Sequence, residues 1–255
     1  LSLFAPIDRW LAPPPAVDKV AWIRGGLFAH RGLHGAGAME NSPRAFVAAI
    51  ERGFGIECDI QLSADGQAMV FHDWEVDRLT AESGPVVQYS AAHLGAIRLG
   101  DTGDCIPTLR QVLEQVAGRV PLLIEVKSKR ELQVPAICHA VQSALEGYRG
   151  HYAVMSFDPR VPRWFAEHSP PTVRGLVVTQ ENDNGLAGRL RRHAALWHAR
   201  PDFLAYDIRD LPSSFAAAQR HRGLPVATWT VRSGELLDRA AVHADAPIAE
   251  GAGVQ

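Results

Sequence analysis

The sequence predicts a (β/α)8 TIM barrel, and three observations carry that prediction. Short apolar runs alternate with helical patterns along most of the chain, as in a parallel sheet built from βα units. The chain has 255 residues, close to the roughly 250 of single barrels. Roughly eight units pass without a Gly-rich dinucleotide fingerprint, which favours a closed barrel over a doubly wound sheet.

Apolar runs place strands at 27–30, 55–60, 68–72, 122–126, 152–156, 173–179, 203–208 and 226–231, with a short one near 247–249. The first helix covers 44–52, with Ser42 as N-cap and Pro43 in the first turn. Further helices are predicted at 108–116, 133–145, 159–168, 186–198, 213–220 and 234–242. Between Ile60 and Ala68 there is no room for a helix, and Asp65-Gly66 is a two-residue hairpin signal. That turn would set Ile60 opposite Phe71 and Leu62 opposite Met69. Asp59 would then face His72, with Glu57 on the same surface because strand side chains alternate.

Composition narrows the class. The chain is 47% hydrophobic and 21% charged, which argues against a disordered chain, a collagen or a long coiled coil. Lys and Arg number 26 against 28 Asp and Glu, so no nucleic-acid partner is expected. Cys58, Cys105 and Cys138 lack metal-ligand spacing and read as free thiols in a reducing compartment. No apolar run approaches a membrane span.

Residues 1–25 are broken by Asp8, Arg9, three consecutive prolines from Pro13, Asp18, Lys19 and Arg24, unlike a signal-peptide core. They are expected to form an extension packing on a barrel domain of residues 26–255. The expected location is the cytoplasm, although a chain opening at Leu1 rather than Met leaves room for a trimmed leader. The sequence sets no oligomeric state.

The densest polar clusters each follow or end a predicted strand: His30-Arg31-Gly32, Glu40-Asn41, Glu57-Cys58-Asp59, His72-Asp73 and Glu125-Val126-Lys127. Barrel active sites lie at those strand ends. Glu57, Asp59 and Glu125 offer oxygen ligands, which select one hard divalent cation, Mg²⁺ or Ca²⁺. Crowded carboxylates without a cation would repel one another. His30 and His72 suit proton transfer near neutral pH. Arg31 and Lys127 suit a phosphate, one as a fork and one as a point charge. Together these describe phosphoester cleavage.

A lone His at a strand end is usually a satisfied polar residue, and a single Glu-x-Asp is often a solvated face. Those readings weaken because every cluster falls at the same end of its element. His34, His93, His139, His151, His168, His193, His198, His221 and His243 lack such company and read as surface or loop residues. The absence of His-x-His counts against a barrel-type zinc hydrolase.

In order and spacing these segments, with Asp65-Gly66, Arg78, Thr80, Pro107-Thr108-Leu109, Ser156-Phe157 and Trp229-Thr230, resemble the glycerophosphodiester phosphodiesterases. The resemblance spans about residues 27–250 and is most specific in the first half. It implies a barrel of the phosphatidylinositol-phospholipase-C type, without a large inserted domain between His72 and Pro107. It implies Glu57, Asp59 and Glu125 as metal ligands and His30 and His72 as the acid/base pair. It further implies phosphate contacts from Arg31 and Lys127 and support from Glu40 and Asn41, with Glu40 near Arg31. Trp229 would wall the substrate pocket or serve as a core aromatic. Many members carry Thr-Asp where this chain has Ala249-Glu250.

The implied reaction is cleavage of a small glycerophosphodiester to glycerol 3-phosphate and an alcohol. The nucleophile is either the glycerol 2-hydroxyl or water. A second reading keeps the fold and takes lysophospholipids, in a phospholipase-D-like reaction. It would need an interfacial surface from Leu3, Phe4, Trp10, Leu11, Trp22 and Ile23, residues more simply read as packing on the barrel. A third reading, an inactive barrel acting as a scaffold, conflicts with the full ligand set and both histidines.

Overall fold

Helices α1 (Ala5–Leu11) and α2 (Val17–Val20) precede the first strand in the computed structural model, which describes residues 4–35, 37–129, 134–181 and 185–254. Leu3 and position 133, where a helix is predicted to begin, lie outside the described residues. Residues Phe28–Tyr152 form one compact unit, and the segments up to Leu27 and from Ala153 form another. The leading segment is tied into its unit by polar contacts. Asp8 is buried and accepts hydrogen bonds from His193 Nδ1 (2.8 Å), Trp197 Nε1 (2.7 Å) and Gln219 Nε2 (2.9 Å). Lys19 pairs with Asp202 at 2.8 Å and Arg24 with Asp245 at 2.6 Å. Ile23 is buried, Phe4, Leu11 and Trp22 are partly buried, and Trp10 is 81% exposed.

The unit beginning at Phe28 runs β1 (Phe28–Ala29), α3 (Pro43–Glu51), β2 (Gly55–Leu62), β3 (Ala68–Val70), α4 (Ala91–Leu94), α5 (Leu109–Val116), β4 (Leu122–Val126) and α6 (Val134–Leu145). Ser42 caps α3 by accepting from the Ala45 amide at 3.2 Å. A capping box between Thr108 and Gln111 starts α5. β2 pairs in parallel with β1 and β4 and antiparallel with β3. β4 meets it from Ile56 to Ile60, so β1 and β3 share the other edge. Met69, Phe71, Leu94, Leu99 and Ile106 form a buried cluster.

The β2–β3 hairpin departs from the predicted register by one residue. Ile60 pairs with Val70, Gln61 with Met69 and Leu62 with Ala68. The Ser63 amide donates to Gln67 O at 3.0 Å and Gly66 adopts φ 79°. The loop is therefore Ala64-Asp65-Gly66, the longer hairpin type with glycine in the left-handed region. The Asp65 carboxylate holds it, accepting from Ser63 Oγ at 2.6 Å and the Ala91 amide at 2.8 Å. Asp59 thus lies against Phe71, whose amide donates to Asp59 O at 2.9 Å, and not against His72. β2 is buried along nearly its whole length, so apolar alternation gave no discrimination between the two registers.

The second unit contains β5 (Tyr152–Ser156) at its boundary, α7 (Arg160–His168), β6 (Val173–Val178), α8 (Leu186–Ala199), β7 (Phe203–Asp207), α9 (Ser214–His221), β8 (Val226–Val231), α10 (Gly234–His243) and β9 (Ala246–Ala249). Strands β5 to β9 pair in parallel in sequence order. Their core includes Leu196, Leu204, Tyr206, Phe215 and Val226. His193 belongs to this buried layer, 3% exposed. Its reading as a surface or loop residue is corrected: Asp8 satisfies the ring, which sequence spacing does not show. Cys58 and Cys138 are buried and Cys105 is half-buried, and none of the three is in a disulfide.

Candidate active site

Glu57 and Asp59 are two residues apart on β2 and so point to one side of the sheet. In the parallel register Asp59 lies beside Glu125 of β4. All three carboxylates are buried, and their oxygens lie within 4.8 Å of one another. On the opposite edge Ala29 pairs with Ile56, which brings the following residue, His30, to the level of Glu57. His30 is itself buried.

Beyond His30 the chain turns sharply. Arg31 takes φ 55° and Gly32 φ 78°. A Cβ on Gly32 would meet the Ala45 Cβ and Phe46 Cδ1 at 2.9 Å, so α3 can approach only a glycine here. The left-handed Arg31 backbone stores strain of about 1–3 kcal/mol. It is held by its amide on Glu57 Oε2 (3.0 Å) and its carbonyl on the Asn41 amide (2.8 Å). Asn41 Nδ2 in turn donates to Asp59 Oδ2 at 2.9 Å.

Two cations reach the acidic group. Lys127 Nζ lies 2.8 Å from Asp59 Oδ1 and 2.5 Å from Glu125 Oε1. Arg31 Nε lies 3.4 Å from Asp59 Oδ2, and its Nη1 donates to Glu40 Oε1 at 2.7 Å. Burial, then Asp59 and Glu125, push the Glu57 carboxyl well above the usual range. Burial also raises Glu125, against the pull of Lys127. Burial would raise Asp59 too, but Lys127, His72 and Arg31 outweigh it and hold this carboxyl low. With all three carboxylates ionised, the cluster would carry more negative charge than Lys127 and Arg31 offset. An all-oxygen donor set of this spacing fits a hard divalent cation.

His72 reaches the group from beyond β3. Gln61 Nε2 donates to the carbonyls of His72 (3.1 Å) and Asp73 (3.0 Å). Asp73 Oδ1 meets His72 Nδ1 at 2.6 Å, and Arg78 Nε donates to Asp73 Oδ2 at 2.5 Å. Arg78 also binds both oxygens of Glu40, at 3.1 and 2.6 Å. A continuous chain of charge-assisted bonds thus joins His72 to Arg31. Burial lowers the His72 pKa, against the opposing field of Asp59.

Of the predicted site residues, Arg31, Glu40, Asn41, Glu57, Asp59, Glu125 and Lys127 form one bonded network, with His30 and His72 adjoining it. Trp229 belongs to the other unit. It is half-buried, donates from Nε1 to Ala205 O at 2.9 Å, and stands edge-on to Phe157 at 5.4 Å between centroids. Sequence reasoning gave no role to Gln61, Asp73 or Arg78. Gln61 continues the Glu57, Asp59 alternation, and Asp73 adjoins His72, so both carried a local signal.

The family described as the glycerophosphoryl diester phosphodiesterase family matches residues 30–250 of this chain. The chain belongs to that family. A glycerophosphodiester phosphodiesterase of Caldanaerobacter subterraneus subsp. tengcongensis is 38% identical over 227 residues, covering 84% of this chain and 88% of that one. An Oleispira antarctica phosphodiesterase, solved with its product sn-glycerol-3-phosphate, superposes with TM-score 0.78 at 22% identity, covering 89% of this chain and 93% of that one. The glycerophosphodiester phosphodiesterase of Thermotoga maritima gives TM-score 0.68 at 26% identity, covering 88% and 93%. As in its family, the fold is the (β/α)8 barrel. Among the described residues no helix is long and apolar enough to cross a membrane.

Proposed function

We propose that this member of the family cleaves glycerophosphodiesters to glycerol 3-phosphate and an alcohol through the Glu57, Asp59 and Glu125 cluster, with His30 and His72 as the acid/base pair. Hydrolysis of glycerophosphodiesters is the reaction of the family. The observation that carries the residue assignment is the buried three-carboxylate group bordered by Arg31, Lys127 and the His72–Asp73 pair.

Glu57, Asp59 and Glu125 would hold one Mg²⁺ or Ca²⁺, which supplies Lewis-acid polarisation of a phosphoryl oxygen. Lys127 and Arg31 offer positive charge to the phosphate oxygens as charge builds there. Asp73 fixes the Nδ1 edge of His72, leaving Nε2 to exchange a proton. A carboxylate behind the ring stabilises the imidazolium, which suits His72 to accept the proton of the nucleophile. His30 then donates to the leaving alkoxide. Asn41 and Glu40 keep Asp59 and Arg31 in place. Trp229, with Phe157 against it, is the candidate wall for the alcohol.

The test is a substrate panel scored for glycerol 3-phosphate, with and without chelator. Glycerophosphocholine should turn over only with the divalent cation, and His30→Ala and His72→Ala should each lose about 10²–10⁴-fold. Near-normal turnover in both variants would sink the assignment. Of the surface that the lysophospholipid reading needs, Trp10 is exposed, whereas Ile23 is buried and Phe4, Leu11 and Trp22 are partly buried. Preference for lysophosphatidylcholine over glycerophosphocholine in the same panel would favour that reading.

A further inference from the structure

A cavity of about 940 Å³ opens among α1, α8 and α9, sharing no residue with the carboxylate cluster. Its walls are basic. Arg9 of α1, Arg189 and Arg192 of α8, and Arg222 just beyond α9 line it, while Asp210 is the acidic residue among its described lining. Arg189 and Arg192 stand three apart and so share one helix face. Small side chains, Ala5, Ala217 and Ala218, leave the space open.

Arg222 is the telling residue. Its guanidinium bonds only to neutral oxygens: Nε to Gln219 Oε1 (2.5 Å), and Nη1 to the carbonyls of Asp8 (3.2 Å) and Ala12 (2.6 Å). The nearby Asp8 carboxylate turns away, taking its bonds from His193, Trp197 and Gln219. The remaining nitrogen, Nη2, is buried with no hydrogen-bond partner. Burial lowers the Arg222 pKa, against the attraction of Asp8, and Arg9 lowers it further. A half-buried cation without a carboxylate partner is a costly arrangement, and a bound anion would offset it.

The cavity is also polarised. Asp210 and Ser214 lie at the N-terminal end of α9, His221 and Arg222 at its other end. Along the eight residues of the helix that separation is about 12 Å at roughly 1.5 Å per residue. The Asp210 carboxylate accepts from the Gln180 amide and Thr179 through Oδ2, and a carboxylate has further acceptor sites for a hydroxyl. The volume is near the upper end of small-molecule pockets, roughly 300–1,000 Å³, far larger than a lone phosphate requires.

We propose that this cavity binds an organic phosphate bearing hydroxyl groups, such as a nucleoside phosphate. Its phosphate lies among Arg9, Arg189, Arg192 and Arg222, and its hydroxyl-bearing end faces Asp210 and Ser214. The proposal does not depend on the hydrolytic reading.

Calorimetric titration of the full chain with ADP, pyrophosphate and adenosine tests it, in chelator so that no cation draws phosphate to the carboxylate cluster. ADP should bind, more tightly than pyrophosphate, and adenosine should not. The double variant Arg9→Ala/Arg189→Ala removes two exposed side chains, and Ala218→Trp fills the cavity. Each should weaken ADP binding about tenfold or more, while keeping the wild-type melting temperature and the ADP-free rate on glycerophosphocholine. No ADP binding up to about 1 mM would overturn the proposal. So would affinity unchanged in both variants, or binding seen only to phosphatidylglycerol vesicles, which would make the basic surface a membrane contact.

Discussion

Asp73 Oδ1 lies 2.6 Å from Nδ1 of His72. Charge-assisted bonds of this length fix both the tautomer and the ring plane, so Asp73 is a positioning residue for His72. Asp73→Asn should lower kcat about 10–100-fold with KM little changed, because substrate contacts are untouched. Steady-state kinetics on glycerophosphocholine checks the split. A rise in KM at constant kcat would place Asp73 in substrate binding instead.

Arg78 connects the two halves of the site by binding Asp73 and both oxygens of Glu40. Arg78→Ala should cost activity in the same range as the Asp73 variant. Combining it with Glu40→Gln should cost less than the product of the two, with a coupling of about 0.5–3 kcal/mol in a double-mutant cycle.

Glu40 also sets a pH dependence of stability. Burial would raise its pKa, but Arg78 and Arg31 outweigh burial and hold it below the usual carboxylate range. Between the folded and unfolded values the unfolded chain binds more protons, so stability rises with pH across that window. The Glu40 contribution is therefore complete above the ordinary carboxylate range and is lost as pH falls through the depressed value. Glu40→Gln should reduce the urea midpoint at pH 7, with the gap to wild type closing below about pH 4.

What the sequence could show follows the range of the interaction. Strands β4, β5 and β8 have the predicted limits because each is an apolar run with clear ends. The Glu57–Asp59 face was legible because strand alternation is local. The β2–β3 register was not, since a strand buried on both faces accepts either hairpin loop. The Arg78–Glu40 pair spans 38 residues and Asp8–His193 spans 185. Neither separation has a periodicity to betray it. Asp8 in particular reads as a surface charge until the fold brings three donors to it.

The carboxylate cluster predicts how the protein responds to metal. With chelator, burial and then Asp59 and Glu125 oppose the negative charge of an ionised Glu57 more than that of its neighbours. Glu57→Gln keeps the shape and removes that charge, so it should raise the melting temperature of the metal-free protein. The same variant should blunt the rise on adding Mg²⁺ or Ca²⁺, which for wild type at about 100 times Kd corresponds to roughly 2.7 kcal/mol. Thermal unfolding with and without cation measures both. A metal-free variant less stable than wild type would show that the three carboxylates do not repel.

The leading segment behaves as a structural part of its unit if the Asp8 contacts matter. Removing this side chain leaves His193, Trp197 and Gln219 donors buried without their common acceptor. Such a loss costs about 3–5 kcal/mol when a charged member of a buried network is removed. Asp8→Ala should therefore lower the urea midpoint sharply, while Trp10→Ala, at an exposed position of the same helix, should leave it within about 0.5 kcal/mol. Equal, small effects in the two variants would mean that α1 is a detachable extension and that the network contributes little.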